Sequence, residues 1–267
     1  MAQSVTWIDP QTALPAPETA LREPDGLVAV GTDLTVPRLI EAYRQGIFPW
    51  FNPGDPVLWW SPDPRMVLDT ANMYRSGSLR KALRQIDRAH QRGDYERLVT
   101  TDLAFDDVIA GCAQRGSDQP QSTWITESMM QVYRRWHRLG QVHSVEVWRG
   151  DALVGGIYGV CLGRMFFGES MFTRASNASK IALAHLVAFL RCRGVQWIDC
   201  QMQTEHLAWL GATAITRDRF LNHVRQAVNA PPIEWPAGWL TSCGAVRALP
   251  ANRLVFAAAS IGYDQAS

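Results

Sequence analysis

The sequence predicts an α+β protein in which a small, loop-rich N-terminal domain precedes a larger domain with a mixed, mostly antiparallel sheet. Three observations lead to this fold class. Residues 46–65 contain five aromatic residues and five prolines, which exclude a helix or a central strand there. Residues 143–172 hold three segments of strand character separated by turn residues, which predicts an antiparallel meander. An apolar helix at 178–192 and a strand at 195–201 follow, so helices and strands share one domain.

The small N-terminal domain is predicted to span residues 1–64. Thr35 can cap a helix over residues 36–45 that ends at Gly46. The apolar face of this helix would carry Leu39, Ile40 and Tyr43. The segment rich in aromatic residues and proline comes next. Its rings must pack against a core or around a ligand, because loops seldom carry so much apolar area without using it.

Three helices are predicted between that segment and the meander. The first spans residues 78–91 and combines an apolar stripe with many basic residues. Asp102 and Thr126 occupy positions typical of N-terminal caps, and the two helices that they start would end near Gly116 and Gly140.

The larger domain is predicted to span residues 65–244, with a C-terminal tail at 245–267. The strands of its meander are expected at residues 143–148, 153–162 and 165–172. Two further helices would follow the strand at 195–201, at about 205–210 and 218–228. The order of three strands, a helix, a strand and a helix is that of N-acyltransferases of the GNAT type. A GNAT-like domain is therefore expected, although a fold alone does not assign chemistry.

Composition and charge limit the functional classes. The 267 residues are 47% hydrophobic and 19% charged, which is typical of a soluble globular protein. No apolar run is long enough to cross a bilayer and no signal peptide is evident, so a cytoplasmic location without membrane contact is expected. Five scattered cysteines without CxxC spacing argue against a disulfide framework or a metal site. The net charge of +1 means that any contact with nucleic acid must come from a local basic patch.

Three polar residues in predicted strands are candidates for chemistry. Glu169 interrupts an otherwise apolar strand, and Asp199 and Gln201 are two residues apart, which would place them on one face of the next strand. Charges inside strands are costly unless they are paired or functional. Each carboxylate alone could simply satisfy an arginine or a backbone amide. The three together favour an active site.

Several sequence blocks support a more specific interpretation. They are PDGLVAVGTDL at 24–34, GIFPWF and LWWSPDPR within 46–65, TWIT at 123–126, HSVEVW at 143–148, GESMF at 168–172, NASK at 177–180 and IDCQ at 198–201. In order and spacing these blocks resemble the leucyl/phenylalanyl-tRNA–protein transferase family over residues 21–220. Two departures are Thr32, where the family commonly has a second glycine, and a longer tail.

The resemblance implies an activity and a set of site residues. The family transfers Leu or Phe, and Met less well, from aminoacyl-tRNA to proteins that begin with Arg or Lys, which are thereby marked for degradation. No cofactor is implied. The matching catalytic positions are Asp199, Gln201 and Glu169. The positions that match the pocket for the aminoacyl side chain are Ile157, Phe166, Met171 and Ile198. Trp50 and Trp124 match aromatic residues near the terminal adenosine.

A mechanism follows for these positions as a hypothesis. The donor is an activated ester, so the enzyme must mainly position the substrates and manage one proton. Asp199 would orient the incoming amine, directly or through Gln201, and take its proton. Gln201 would hold Asp199 or the tetrahedral oxygen. Glu169 would supply negative potential for the basic acceptor side chain or for the substrate amines. The adaptable side chain of Met171 suits Leu, Met and Phe, whereas branching at Cβ would clash near the entrance.

The basic helix is the predicted contact for tRNA phosphates. Its candidate residues are Arg75, Arg80, Lys81, Arg84 and Arg88. Phosphate contacts position a nucleic acid without reading its sequence. The alternative is an ordinary solvated helix face, which is more common for an isolated run of charges.

Two other functions are considered. A CoA-dependent N-acetyltransferase usually needs a glycine-rich loop before the apolar helix, and residues 173–180 contain no glycine. A non-catalytic tRNA-binding protein would explain the basic helix and the aromatic residues. It would not explain why the polar residues Glu169, Asp199 and Gln201 occur in predicted strands.

Overall fold

The computed structural model describes residues 5–114 and 125–253, which form two sheets and seven α-helices. The smaller, N-terminal sheet has the strand order β1-β2-β4-β3. Its strands are β1 Thr6–Ile8, β2 Leu27–Gly31, β3 Phe48–Pro49 and β4 Val57–Trp60. β1 runs parallel to β2, and the other pairs are antiparallel.

The larger sheet has nine strands in the order β11-β5-β10-β9-β8-β7-β6-β12-β13. They are β5 Arg65–Asp69, β6 Arg97–Thr101, β7 Val142–Arg149, β8 Ala152–Leu162, β9 Met165–Thr173, β10 Trp197–Asp199, β11 Thr213–Ile215, β12 Gly238–Leu240 and β13 Val246–Arg247. Of these neighbours only β9 and β10 are parallel. The predicted α+β class with a mixed, mostly antiparallel sheet and the predicted meander are confirmed.

Seven helices surround these sheets in the described residues. They are α1 Val36–Arg44, α2 Gly77–Gln91, α3 Phe105–Ala113, α4 Glu127–Arg138, α5 Ala178–Cys192, α6 Glu205–Trp209 and α7 Arg217–Ala227. α5 has the bounds that its apolar sequence predicts, and 11 of its residues are buried. None of the described helices is long and apolar enough to span a membrane.

Two hydrophobic clusters lie on opposite faces of the large sheet. Along β9 the buried Phe166 belongs to one cluster and the adjacent Phe167 to the other, as the alternation of side chains in a strand requires. One face packs against α5 and α2. The opposite face packs against α3 and α4, and its cluster continues into α1 and the N-terminal sheet. Tyr43 of α1 meets Phe167 edge to face, with ring centroids 5.1 Å apart.

The domain division at residues 1–64, 65–244 and 245–267 stays a prediction. The N-terminal sheet ends at Trp60 and the large sheet begins at Arg65, yet one hydrophobic cluster includes residues of both. β13 lies within the predicted tail and pairs with β12. Residues 254–267 lie outside the described part of the chain, as does Gly116, the predicted end of a helix.

Two helix caps are confirmed and one is wrong. The side chains of Thr35 and Thr126 accept hydrogen bonds from backbone N–H groups in the first turns of α1 and α4. Asp102 does not cap α3, because the cap position is Ala104. The Asp102 carboxylate instead accepts a hydrogen bond from the backbone N–H of Ser144 on β7 at 2.8 Å. Asp102 thus bonds to a residue 42 positions away in the sequence and does not cap the helix that follows it.

An irregularity in the pairing of β8 with β9 places Glu169 and Met171 on opposite faces of the sheet. Tyr158 pairs with Ser170, but the next residue, Gly159, pairs with Gly168, so Glu169 is an extra residue in a β-bulge. Such a bulge changes which face the following side chains point to. As a result Met171 packs on the α5 face, while Glu169 bonds to tyrosines of the opposite face.

Replacement of Gly159 by alanine should damage this bulge. A Cβ atom at Gly159 would lie 2.3 Å from the carbonyl oxygen of Phe167 and 2.6 Å from the ring of Phe166. We expect Gly159→Ala to lower the free energy of unfolding by about 1–3 kcal/mol, which urea titration measures. The control is Gly77→Ala at the start of α2, where nothing lies within 4 Å of the added carbon. Equal stabilities of the two variants would contradict the expectation.

Candidate active site

Glu169 lies at the centre of a hydrogen-bonded cluster that joins three elements. The phenol of Tyr43 on α1 donates to its Oε1 at 2.8 Å, and the phenol of Tyr133 on α4 donates to its Oε2 at 3.2 Å. The two phenol oxygens are themselves 2.6 Å apart, and both tyrosines are fully buried. The cluster therefore ties the bulge in β9 to α1 and α4.

Burial changes the protonation of this cluster. Burial raises the pKa of Glu169 from its ordinary 4.5 to about 8, and the bonds from the two phenols oppose this rise only in part. Burial and the nearby Glu169 also raise the pKa values of Tyr43 and Tyr133 well above 10, so both phenols stay protonated. Near neutral pH the Glu169 carboxyl consequently carries a proton for most of the time. A cation placed beside it would favour the ionised form.

Asp199 is held by a buried arginine. Arg65 donates from Nε to one carboxylate oxygen at 2.8 Å and from Nη2 to the other at 2.7 Å. The exposed fractions of the two side chains are 1% for Arg65 and 0% for Asp199. The guanidinium also lies between the rings of Phe48 and Phe220, at 4.7 and 4.5 Å from their centroids. This geometry fixes the carboxylate of Asp199 and leaves almost none of its surface accessible to a substrate.

Gln201 links the two carboxylates. Its backbone N–H donates to Oδ1 of Asp199 at 2.9 Å, and its Nε2 lies 3.4 Å from Oε1 of Glu169. Gln201 has a φ of +58°, so the chain has left β10, which ends at Asp199. The prediction that Asp199 and Gln201 sit on one strand is therefore wrong. The structure nevertheless brings Glu169, Asp199 and Gln201 together, with the amide of Gln201 at the partly exposed end.

The site lies where two parallel strands separate. β9 and β10 are paired only at Phe166–Ile198 and Phe167–Asp199, while β9 continues to Thr173. Beyond this point the end of β9 opens into a groove of about 910 Å³, which Met171 lines together with residues of α3 and α5. Volumes of this order are typical of sites for small ligands.

The four residues that match the aminoacyl pocket share the α5 face of the sheet. Ile157, Phe166 and Ile198 are buried in one hydrophobic cluster, and Met171 is half-buried against it. Met171 is the one of the four that reaches the groove. The resemblance and the structure thus agree that these residues are neighbours, and their role in binding stays a prediction.

The remaining candidates are two tryptophans and the basic residues of the α2 region. Trp50 is half-exposed, and its ring meets that of Trp60 edge to face at 6.0 Å. Trp124 lies outside the described residues. The five basic residues of the helix region, Arg75, Arg80, Lys81, Arg84 and Arg88, are all exposed and have no carboxylate partner in the described part of the chain. Arg75, Arg80 and Arg84 line a cavity of about 230 Å³.

Sequence reasoning missed three residues of this site. In the sequence Tyr43 is one residue of an apolar helix face, Arg65 ends a block rich in tryptophan and proline, and Tyr133 belongs to no motif. Tyr43 and Glu169 are 126 positions apart, and Arg65 and Asp199 are 134 apart. The buried face of α1 could have indicated Tyr43, but no local pattern shows which acid a buried phenol or guanidinium will meet.

Comparisons with known proteins agree on one family. A sequence model described as leucyl/phenylalanyl-tRNA protein transferase matches residues 67–225, and a model of that family's N-terminal domain matches residues 32–63. A leucyl/phenylalanyl-tRNA–protein transferase from Bordetella petrii is 53% identical over 250 residues, which are 94% of this chain and 98% of that protein. One from Nitrosospira multiformis is 52% identical over 84% of this chain and 93% of that protein.

The likeness to solved structures is distant. A conserved protein of unknown function from Bacteroides thetaiotaomicron matches with a TM-score of 0.36 and 11% identity, over 64% of this chain and 57% of that chain. A match at this level supports no conclusion about fold or function.

Removal of Arg65 should destabilise the protein strongly. Arg65→Met leaves Asp199 buried without its partner, which costs about 3–5 kcal/mol of unfolding free energy. Urea titration measures this loss. The control is Arg134→Met, whose exposed pair with Asp106 should be worth at most about 1 kcal/mol. Combining Arg65→Met with Asp199→Leu should recover much of the loss, and no recovery would contradict this account.

Glu169 should make stability depend on pH. Because its folded pKa is about 8 and its ordinary value is 4.5, the folded protein binds more protons than the unfolded chain between these values. Its contribution is therefore complete below pH 4.5 and is lost as the pH rises through 8. We expect wild-type stability to fall relative to that of Glu169→Gln between pH 5 and 9, as measured by urea unfolding. Parallel curves would show that Glu169 does not titrate in this range.

Proposed function

Because the chain belongs to the leucyl/phenylalanyl-tRNA–protein transferase family, an aminoacyltransferase family, we propose that it transfers Leu or Phe, and Met less well, from aminoacyl-tRNA to proteins that begin with Arg or Lys. The product would carry a new N-terminal residue that marks the acceptor for degradation, and the reaction would take place in the cytoplasm. The observation that carries this proposal is the cluster of Glu169, Gln201 and Asp199 at the opening between β9 and β10.

The reaction requires positioning rather than a strong activating group. The α-amine of the acceptor attacks the ester carbonyl of the donor, so a C–N bond forms and the bond to the tRNA ribose oxygen breaks. The amine loses one proton and the ribose oxygen gains one. The ordinary pKa of an α-amine is about 7.7–8.0, so a useful neutral fraction exists near neutral pH. Correct placement of the two reactants can therefore supply much of the rate enhancement.

Gln201 is the proposed catalytic contact, and Asp199 acts through it. The amide of Gln201 can accept a hydrogen bond from the incoming amine and donate one to the developing oxyanion. Asp199 is fully buried and already accepts bonds from Arg65 and from the backbone of Gln201, so direct contact with the amine would require the surrounding structure to open. Of the two roles considered for Asp199, orientation through the backbone of Gln201 is the one that this geometry supports. The proton of the amine would then pass to the ribose oxygen, directly or through water.

Glu169 is the proposed recognition group for the acceptor. A guanidinium or ammonium group beside it would lower its pKa from about 8, and the resulting ion pair would favour Arg and Lys over neutral residues. Tyr43 and Tyr133 would keep the carboxylate oriented, since each donates to a different oxygen. A neutral N-terminal residue would leave Glu169 protonated and would form no ion pair with it, and this supports selection of basic acceptors.

The donor would occupy the α5 face of the sheet. Ile157, Phe166, Met171 and Ile198 would contact its side chain, and Cβ branching would clash near the entrance. Trp50 and Trp124 would contact the terminal adenosine. The exposed basic residues of the α2 region would bind acceptor-stem phosphates, since they have no carboxylate partner among the residues that the structure describes. The succession of β7, β8, β9, α5 and β10, with an opening between β9 and β10, supports a GNAT-like catalytic domain.

A transfer assay tests the proposal. The protein is incubated with labelled Phe-tRNA and an acceptor that begins with Arg, and label on the acceptor N-terminus is measured. We expect Gln201→Ala to lower kcat by about 100-fold. Glu169→Gln should mainly raise KM for the Arg acceptor, by about tenfold, because it removes a charge pair. Wild-type activity in both variants would overturn the assigned roles.

Two substrate controls accompany the assay. An otherwise identical acceptor that begins with Ala should receive little label from the wild-type protein. Leu-tRNA and Phe-tRNA should be used well, Met-tRNA less well, and Ile-tRNA and Val-tRNA poorly. Equal rates with Leu-tRNA and Ile-tRNA would contradict selection by cavity shape.

A further inference from the structure

Two large aromatic side chains lie exposed beside each other between the basic helix and the groove. Tyr74 directly precedes Arg75 at the start of the basic region, and Trp209 ends α6. Their rings meet edge to face with centroids 5.4 Å apart. The exposed fraction is 51% for Tyr74 and 49% for Trp209. Exposed aromatic rings can bind a ligand whose own ring stacks on them. Neighbouring exposed apolar side chains often mark such a binding site.

A lysine extends this aromatic pair toward the groove. The Nζ atom of Lys180 lies 4.5 Å from the centroid of the Trp209 ring. Lys180 also lines the groove together with Met171, and it has no carboxylate partner in the described residues. Its positive charge is therefore available to an anion that approaches the exposed rings. Lys180 belongs to the NASK motif, to which the proposed reaction assigns no role.

The arrangement forms a continuous path of contacts. It runs from the arginines of the 230 Å³ cavity, through Tyr74 and Trp209, to Lys180 and the groove beside Met171. His206, on the same short helix as Trp209, also lines that groove. An elongated ligand could therefore contact α2 at one end and approach the proposed donor pocket at the other.

We propose that Tyr74, Trp209 and Lys180 form a platform that binds the single-stranded nucleotides preceding the terminal adenosine of the donor tRNA. Bases would stack on the two exposed rings, and Lys180 and Arg75 would contact the adjoining phosphates. This inference rests on the proposed function. The cations on both sides of the rings favour a polyanion, and they disfavour an acceptor peptide that begins with Arg or Lys. The platform would lead the strand from the basic helix toward the ester-binding site.

Binding of two RNA hairpins tests the platform directly. Both reproduce an acceptor stem, but one has a single-stranded 3′ end of four nucleotides and the other is blunt. Fluorescence anisotropy measures the Kd of each. Trp209→Ala should raise Kd for the hairpin with the single-stranded end by about tenfold and leave the blunt hairpin within twofold, since one stacked base accounts for a change of this order. The matched control Trp7→Ala removes another exposed indole, 61% exposed on β1, and should change neither.

Two further variants separate stacking from folding. Trp209→Phe keeps an aromatic face and should retain most of the binding. Lys180→Gln should reduce the salt dependence of binding by about one counterion. An equal loss with both hairpins, or no loss in Trp209→Ala, would overturn the platform.

Kinetics link the platform to the reaction and separate its failure from that of the proposed function. Trp209→Ala should raise KM for Phe-tRNA by about tenfold with little change in kcat. With a minimal phenylalanyl-adenosine donor its kinetics should equal those of the wild type. Similar losses with both donors would contradict the platform. If the wild-type protein transferred nothing, the proposed function would fail, and the hairpin measurements would still decide whether the platform binds RNA.

Discussion

The buried ion pair of Arg65 and Asp199 lies where four elements of the structure meet. It links β5 to the end of β10, and the guanidinium also contacts Phe48 of the N-terminal sheet and Phe220 of α7. Burying two charges costs several kcal/mol, so such a pair persists only where its hydrogen bonds are well formed. Here the pairing is bidentate, and Asp199 additionally accepts the N–H of Gln201. The same contact therefore stabilises the fold and fixes the turn that presents the amide of Gln201.

The two carboxylates of the site are held in different ways, and this difference underlies the separate roles proposed for them. Asp199 faces a permanent cation inside the protein, whereas Glu169 faces two phenols and has a pKa raised to about 8. A carboxyl that is protonated in the empty site and ionises beside a cation is suited to recognising a basic side chain. A carboxylate that is already paired is suited to holding structure. Pairs of acids with divergent environments commonly divide their work in this way.

The sequence predicted those parts of the fold that local signals determine. Thr35 and Thr126 cap helices where expected, and the apolar helix α5 has its predicted bounds. The predictions for Asp102 and Gln201 are wrong for the same reason. Each residue has a positive φ and makes a hydrogen bond that the local sequence pattern does not reveal. The polar triad of the site was foreseen from motifs. Its partners Arg65, Tyr43 and Tyr133 were not, because those contacts join distant segments of the chain.

The bulge at Glu169 places two candidate site residues of one strand on opposite faces of the sheet. Without it, Glu169 and Met171 would be two positions apart on a regular strand and would share a face. With it, Met171 packs on the α5 face with the proposed donor pocket, while Glu169 joins the tyrosines of the other face. A polyanionic donor would then approach along α2 and α5, and a cationic acceptor from the side of α1 and α4. The proposed meeting point of the ester carbonyl and the amine lies beside Gln201, where β9 and β10 cease to pair.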